Sequence, residues 1–331
     1  MTRRGWLGGV VAAGVCAVLF VGCGKHSDPW PAGDKLRVLA SFPPIYCFAV
    51  NVAGDDAVVL PLLDGAGVHD YHPSPHDAIK LHRAQVFLIN GLDLDDGFAG
   101  VLANNVGRKI KPVPVGALAV PEAQRIAAAH DHDHDAGHGH SHSHAHGEFD
   151  PHVWLGITEA VAMVQVIANT LAEADPPHAK GYADRAKAYE KKLSDLHEYG
   201  KKQFAKTKKE NRKIVTLHDS LRYFARDFDI TVVDFIQPSA GEGVLPRRLK
   251  KIVDTCVKEN VRVIVTEPGQ MTNSEVDELM KALAAKGIKN AVKVEFDMME
   301  SAPAAELRKN PDFYQDKMRE NIRTLAEALA K

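Results

Sequence analysis

From Leu36 onward the chain alternates short aliphatic and β-branched runs with stretches of helical spacing, and few folds can satisfy that alternation. Leu36-Arg37-Val38-Leu39-Ala40-Ser41-Phe42 reads as a strand ending at Pro43-Pro44, and a helix is expected from about Ile45 to Val52. Val58 to Leu63 is the next strand, Pro75 to Ala84 a helix, and Val86 to Asn90 a strand closed by the turn at Gly91. A second series begins at Lys213-Ile214-Val215-Thr216-Leu217 and continues through a helix from Ser220 to Phe228, the strand Thr231 to Phe235 and the turn Gly241-Glu242-Gly243. A helix then runs from Pro246 to Glu259, followed by the strands Val261 to Val265 and Ala291 to Phe296. Alternation of this kind predicts an α/β protein whose parallel sheets are covered by helices on both faces.

Between the two series lies a helical pattern over 177–207, with Tyr182, Ala186, Tyr189, Leu193 and Leu196 on one stripe. Some 30 residues would reach roughly 45 Å. Two roles fit such a helix: a strut inside one molecule, or a coiled-coil arm joining two. The stripe is narrow, has Lys187 and Lys191 beside it and is not sustained beyond four heptads, which favours the strut and a monomer. A length of 331 residues allows one large or two medium domains. The expected organisation is an N-terminal lobe over 36–176, the linking helix over 177–207 and a C-terminal lobe over 208–331.

Residues 1–23 read as an export signal: Arg3 and Arg4, an apolar run from Trp6 to Val21, then Gly22-Cys23. Phe20-Val21-Gly22-Cys23 resembles a bacterial lipobox, with Cys23 as the lipidated residue and Phe20 where leucine is usual. Thr2-Arg3-Arg4-Gly5-Trp6-Leu7 also resembles a twin-arginine signal. An uncleaved anchor helix is the other reading, and under either the body lies outside the cytoplasm, joined to the membrane by a polar tether over 24–35. Cys47 and Cys256 remain; an oxidising compartment would allow them to pair, and neither has the spacing of a cysteine zinc site. With 41 basic and 43 acidic side chains the formal net charge is -2, which gives no electrostatic case for nucleic acid as a partner.

The chemistry-bearing residues are histidines. His130, His132, His134, His138, His140, His142, His144 and His146 alternate with Asp, Gly, Ser and Ala in a loop over 130–148 that has almost nothing apolar to bury. Such a tract either binds metal weakly, as an antenna or gate for a stronger site, or is a dispensable solvated loop. His152 differs, because Pro151 fixes the backbone before it and Val153-Trp154-Leu155 packs after it. Taken alone, that ring could be a ligand or an ordinary hydrogen-bonded histidine.

Three motifs resolve the choice by resemblance. Gly67-Val68-His69-Asp70-Tyr71, followed by Pro73-Ser74-Pro75-His76-Asp77 and Ala84 to Gly91, resembles the first metal motif of the solute-binding proteins of zinc and manganese ABC importers. Asp150-Pro151-His152-Val153-Trp154 resembles the second, the His-rich insertion before it is typical of zinc-specific, ZnuA-type members, and Leu217-His218-Asp219-Ser220-Leu221-Arg222-Tyr223-Phe224-Ala225 resembles the third. The resemblance implies two lobes bridged by one rigid helix, with His69, His152 and His218 binding the metal. Three imidazoles suit Zn²⁺ and leave one tetrahedral position for a carboxylate or a water. Asp297, at the end of the last strand, is expected to fill it, although Met298-Met299 stand where the family has Pro-Leu. Glu267 is the rival for that place, or an acceptor that orients a ligand histidine. His72, His76 and His82 are not expected among the ligands.

The function so implied is capture of Zn²⁺ between the lobes and delivery to an ABC permease, from a lipid anchor on the periplasmic or extracytoplasmic face of the membrane. Alternatives are a manganese- or iron-binding member of the family, a zinc hydrolase and a surface adhesin. No His-Glu-x-x-His helix or nucleophile elbow supports the hydrolase, so no enzyme activity is expected.

Overall fold

The computed structural model describes residues 28–69, 71–128, 147–237, 244–268 and 273–331, with backbone alone at 273 and 274. The export signal with Cys23, the start of the tether, the histidines from His130 to His146 and the Gly241-Glu242-Gly243 turn fall outside the described residues.

Two four-stranded sheets, every pairing parallel, carry the fold. The first is built from β1 (Leu36–Ala40), β2 (Ala57–Pro61), β3 (Val86–Ile89) and β4 (Val113–Pro114) in the order β2-β1-β3-β4. The second repeats that order with β5 (Lys213–His218), β6 (Thr231–Gln237), β7 (Val263–Thr266) and β8 (Val292–Glu295), as β6-β5-β7-β8. The first lobe carries α1 (Pro43–Ala53), α2 (Pro75–Arg83), α3 (Asp96–Asn105), α4 (Val115–Ala119) and α5 (Ile157–Ala174). After α6 (Ala179–Phe204) come α7 (Arg222–Asp227), α8 (Pro246–Glu259) and α9 (Asn273–Ala285), then α10 (Ala304–Lys309) and α11 (Phe313–Leu329).

Local chemistry explains the boundaries. Pro43 and Pro44 do not form a loop after β1 but open α1, where their missing N–H groups would have no intrahelical partner anyway. All of β3 is buried, as a strand covered on both faces must be. In each sheet the chain leaves the central strand in one direction and later returns on its other side. The resulting switch points, between β1 and β3 and between β5 and β7, are where loops diverge and leave a crevice.

The long helix is a strut. Tyr182, Ala186, Tyr189, Leu193 and Leu196 are all buried, and Gly200 and Phe204 extend the stripe. Near its start the Arg185 guanidinium donates to Val52 O (2.7 Å) and Asp56 Oδ2 (2.6 Å) of the first lobe. Near its end Phe204 packs on Phe224 and Phe228 of the second, with ring centroids 6.0 and 5.1 Å apart. One hydrophobic core is continuous from the first sheet through α5 and α6 to α7 and α11. A separate, smaller core lies beneath α8 and α9. Cys47 is buried in the first core and Cys256 in the second, both free, so the two thiols are unpaired.

Gly200 is required by this packing. A Cβ there would fall 2.4 and 2.6 Å from two carbons of the Phe228 ring. Gly200→Ala should therefore lose stability, although alanine is the better helix former by about 1 kcal/mol. Overpacking costs about 1–3 kcal/mol, so the expected net loss is about 1 kcal/mol and a melting temperature lower by a few degrees. A thermal melt at or above that of the parent chain would show that the ring yields freely.

Candidate metal centre

Three histidines and one carboxylate meet in the crevice between the lobes. One ligand atom from each of His69, His152, His218 and Glu300 can be chosen so that all lie within 4.8 Å of one another. His152 Nε2 is 3.3 Å from His218 Nε2. Glu300 Oε1 is 3.2 Å from His69 Nε2, 3.5 Å from His152 Nε2 and 3.9 Å from His218 Nε2. A tetrahedral Zn²⁺ with bonds near 2.0–2.1 Å has ligand atoms roughly 3.3 Å apart, so the group fits such an ion with small adjustments.

Each side chain is delivered by a different device. His69 follows β2, on a loop closed by the capping box at the start of α2: Ser74 Oγ accepts from Asp77 N, and the Asp77 carboxylate accepts from Ser74 N. Tyr71 Oη donates to the same carboxylate at 2.6 Å, which ties down the residue two beyond His69. The Pro-x-Pro-x-Asp pattern is thus a clamp on the loop, and its Asp77 is held below the usual carboxylate range: burial pushes it up, and the hydrogen bonds from Ser74 and Tyr71 more than offset that.

His152 begins a single 3₁₀ turn, Val153–Leu155, after an Asp-Pro step. Asn90, just past the end of β3, donates through Nδ2 to Pro151 O at 2.9 Å and holds that step in place. The Asp150 carboxylate accepts from the His152 backbone N–H (2.9 Å) and lies 2.8 Å from its Nδ1. His218 is the last residue of β5, and its Nδ1 meets Glu267, one residue past β7, at 2.5 Å. In both rings a carboxylate on Nδ1 leaves Nε2 as the free nitrogen, directed into the cluster. Glu267 therefore occupies the orienting position, not a place among the converging atoms.

Asp297 is not part of the group; the fourth side chain is Glu300. The Asp297 carboxylate accepts from Met299 N (2.8 Å) and pairs with Lys317 (2.9 Å). Its backbone N–H and C=O are held by the Asn321 side chain at 2.9 and 2.8 Å. Trp154 Nε1 donates to Met298 O at 2.8 Å, and Met299 is driven to φ 59°. That left-handed turn costs a non-glycine residue about 1–2 kcal/mol, and it is what brings Glu300 back to the histidines. The sequence signal for Glu300 is slight: it is the only other carboxylate between Phe296 and Pro303. The contacts that decide between it and Asp297 come from α11 and from Trp154, far away in the chain. His72, His76 and His82 also lie outside the group.

The segments that flank the His-rich loop are pinned to each other and to α7. Ala127 and Phe149 form an antiparallel bridge, Asp150 N donates to Ile126 O, and Arg222 of α7 donates to Ala127 O. The described residues that flank the tract are thereby held together, and on one side they run directly into His152.

The electrostatics favour a proton on His152. Burial acts to lower the His152 pKa, but Asp150 and Glu300 outweigh it and raise it to about 10. Glu300 is partly buried, which pushes its carboxyl up, and the facing imidazoles more than reverse this, holding it well below the usual range. Both shifts express the same contact.

A sequence model of the family described as zinc-uptake complex component A, periplasmic (ZnuA), matches residues 38–328. The manganese-binding lipoprotein MntA of Bacillus subtilis is 28% identical over 322 residues, covering 95% of this chain and 98% of that protein. The iron-binding protein YfeA of Yersinia pestis is 26% identical over 243 residues, covering 73% and 72%. The solved structure of the periplasmic zinc-binding protein TroA from Treponema pallidum has the same fold, with a TM-score of 0.71 at 23% identity over 90% of this chain and 100% of that one.

Because the raised pKa keeps His152 protonated through neutral pH, a divalent ion entering at pH 7 must expel that proton. About one proton should be released per ion bound, and affinity should fall as the pH is lowered. The same sign applies to folding: the stabilisation from charged His152 is fully present below its unfolded value near 6.5 and is lost as pH rises through about 10. Calorimetric zinc titrations in buffers of different ionisation enthalpy measure the release directly. A buffer-independent heat at pH 7 would mean that the metal-free cluster carries no such proton.

Proposed function

The chain belongs to the periplasmic zinc-uptake component A family, and we propose that it captures Zn²⁺ between its two lobes and hands the ion to an ABC permease for import. His69, His152, His218 and Glu300 are the ligands in this reading. The observation that carries it is that their donor atoms converge within 4.8 Å of one another, close enough for one ion to draw them into a tetrahedron. Three imidazole nitrogens and one carboxylate oxygen favour zinc over manganese, the harder ion, which prefers more oxygen. Relatives named for manganese and iron make that preference the point to test. A fourth protein ligand also supports binding over hydrolysis, because catalytic zinc sites keep a position open.

Delivery follows from where the ligands sit. His69 and His152 belong to the first lobe, His218 and Glu300 to the second, so a bound ion joins loops from both. Its loss frees those loops, which gives the permease a difference between loaded and empty protein to read. The signal at residues 1–23 and Cys23 support export and a lipid anchor, like the lipoprotein relatives, and the His130–His146 tract, whose flanking residues Ala127 and Phe149 are paired, acts as a weak collecting site.

Metal analysis of the purified chain, with zinc and manganese in competition, tests the proposal. One tight equivalent of zinc is expected. His69→Ala, His152→Ala, His218→Ala and Glu300→Gln should each weaken binding by more than the roughly 10–100-fold expected for loss of an orienting group such as Glu267. Asp297→Asn should fall within that smaller range. A larger loss from Asp297→Asn than from Glu300→Gln would return the fourth position to Asp297. Tighter binding of manganese than of zinc would overturn the choice of cargo.

A further inference from the structure

A second concave site lies at the opposite end of the C-terminal sheet. β5 runs from Lys213 to His218, so the strand that ends at the metal centre begins at this other cavity, roughly 16 Å away at about 3.3 Å per residue. The cavity has a volume of about 260 Å³ and is bounded by the loop after α6, the starts of β7 and β8, and the end of α11. That is smaller than the roughly 300–1,000 Å³ of pockets for drug-sized ligands.

Its lining has one sign of charge. Lys206, Lys208, Lys213, Arg262 and Lys331 face it, and no aspartate or glutamate does. Lys213 is neutralised by Glu259, with Nζ 3.0 Å from Oε2. Among the described residues, Lys206, Lys208, Arg262 and Lys331 have no ion-pair partner, in contrast to the many lysines elsewhere that pair on their own helix. Cations gathered side by side repel one another, so an anion placed among them would be stabilised.

One polar group beside the cavity is left without a partner. Thr207 also lines the cavity; it is 6% exposed, and its Oγ1 is buried with no hydrogen-bond partner. The other polar groups of that segment are engaged: Thr207 N donates to Phe204 O, and Thr207 O accepts from Arg212 Nε at 2.9 Å. A buried hydroxyl left unpaired costs about 1–3 kcal/mol. Side-chain amides of Asn211, Asn260 and Asn290 add further donors around the rim.

We propose that this cavity binds a compact phosphate group, with Arg262 and Lys208 supplying charge and the Thr207 hydroxyl a hydrogen bond. Phosphate suits it better than a carboxylate, because its oxygens accept from several directions at once and guanidinium pairs with them through two parallel bonds. The group could arrive as a free phosphate or as the headgroup of an anionic phospholipid. At 16 Å the two sites lie beyond a Debye length of about 8–10 Å, so occupancy of one should leave the other's affinity unchanged.

The test is titration of the full chain with inorganic phosphate and, separately, with glycerophosphoglycerol, the deacylated headgroup of phosphatidylglycerol, at fixed ionic strength. Saturable binding of at least one is expected, and whichever binds more tightly identifies the source. Combined Arg262→Ala and Lys208→Ala replacement, at exposed positions that leave folding intact, should weaken it by about tenfold or more, the loss of a charged hydrogen bond. Thr207→Val, close in shape, should weaken it a few-fold, and zinc affinity should be the same in all these proteins. The proposal fails if neither ligand saturates the wild-type chain, or if the double variant binds them as the wild type does.

Discussion

Two imidazole nitrogens 3.3 Å apart cannot both turn lone pairs toward each other unless a positive charge lies between or beside them. His152 and His218 are placed in that relation, with a third imidazole and the Glu300 carboxylate completing the group. The surrounding structure can be understood as enforcing it. Asp150 and Glu267 grip the outer nitrogens, so neither ring can escape by turning over and presenting its other nitrogen. Burial of both rings keeps water from relieving the crowding. A proton can supply that charge, since Asp150 and Glu300 push the His152 pKa up, and a divalent cation would engage all four side chains at once.

The parallel sheets make this convergence possible. A parallel sheet sends every strand's carboxyl end to the same side, and the two sheets turn those sides toward a shared crevice. His218 ends β5 and Glu267 follows the neighbouring β7, so one strand pairing sets their approach. His69 and His152 come from the corresponding side of the first sheet, where Asn90 beyond β3 secures the second of them. Trp154 binds the two halves of the site together, donating to Met298 O and accepting from Tyr314 Oη through its own carbonyl.

What the sequence discloses and what it withholds follows the range of the forces involved. The strands, the stripe of α6 and the histidine motifs are local patterns, and the structure places His69, His152 and His218 together as those motifs imply. Glu267 was legible as either a rival ligand or an orienting group, because a buried ligand histidine needs its other nitrogen held, and the structure puts it on His218 Nδ1. Asp297 and Glu300 could not be separated that way. Both are acids in one short loop, and the choice depends on Lys317, Asn321 and Trp154, whose proximity is a product of the finished fold. The prolines at 43 and 44 were legible as a boundary but not as the first turn of a helix. The buried stripe of α5, from Ile157 to Leu171, is as regular as that of α6 and carries no chemistry to single it out.

The shared core under both lobes has a bearing on how cargo could leave. A vessel whose walls are welded along α5, α6 and α11 does not unfold like a book. What it can do is lift a lip, and the piece at the rim is the His69 loop, whose ring is the more exposed of the three, whereas the Met298-Met299-Glu300 segment is anchored by two buried methionines. Unloading would then be a matter of peeling back one short ribbon, with the frame standing still.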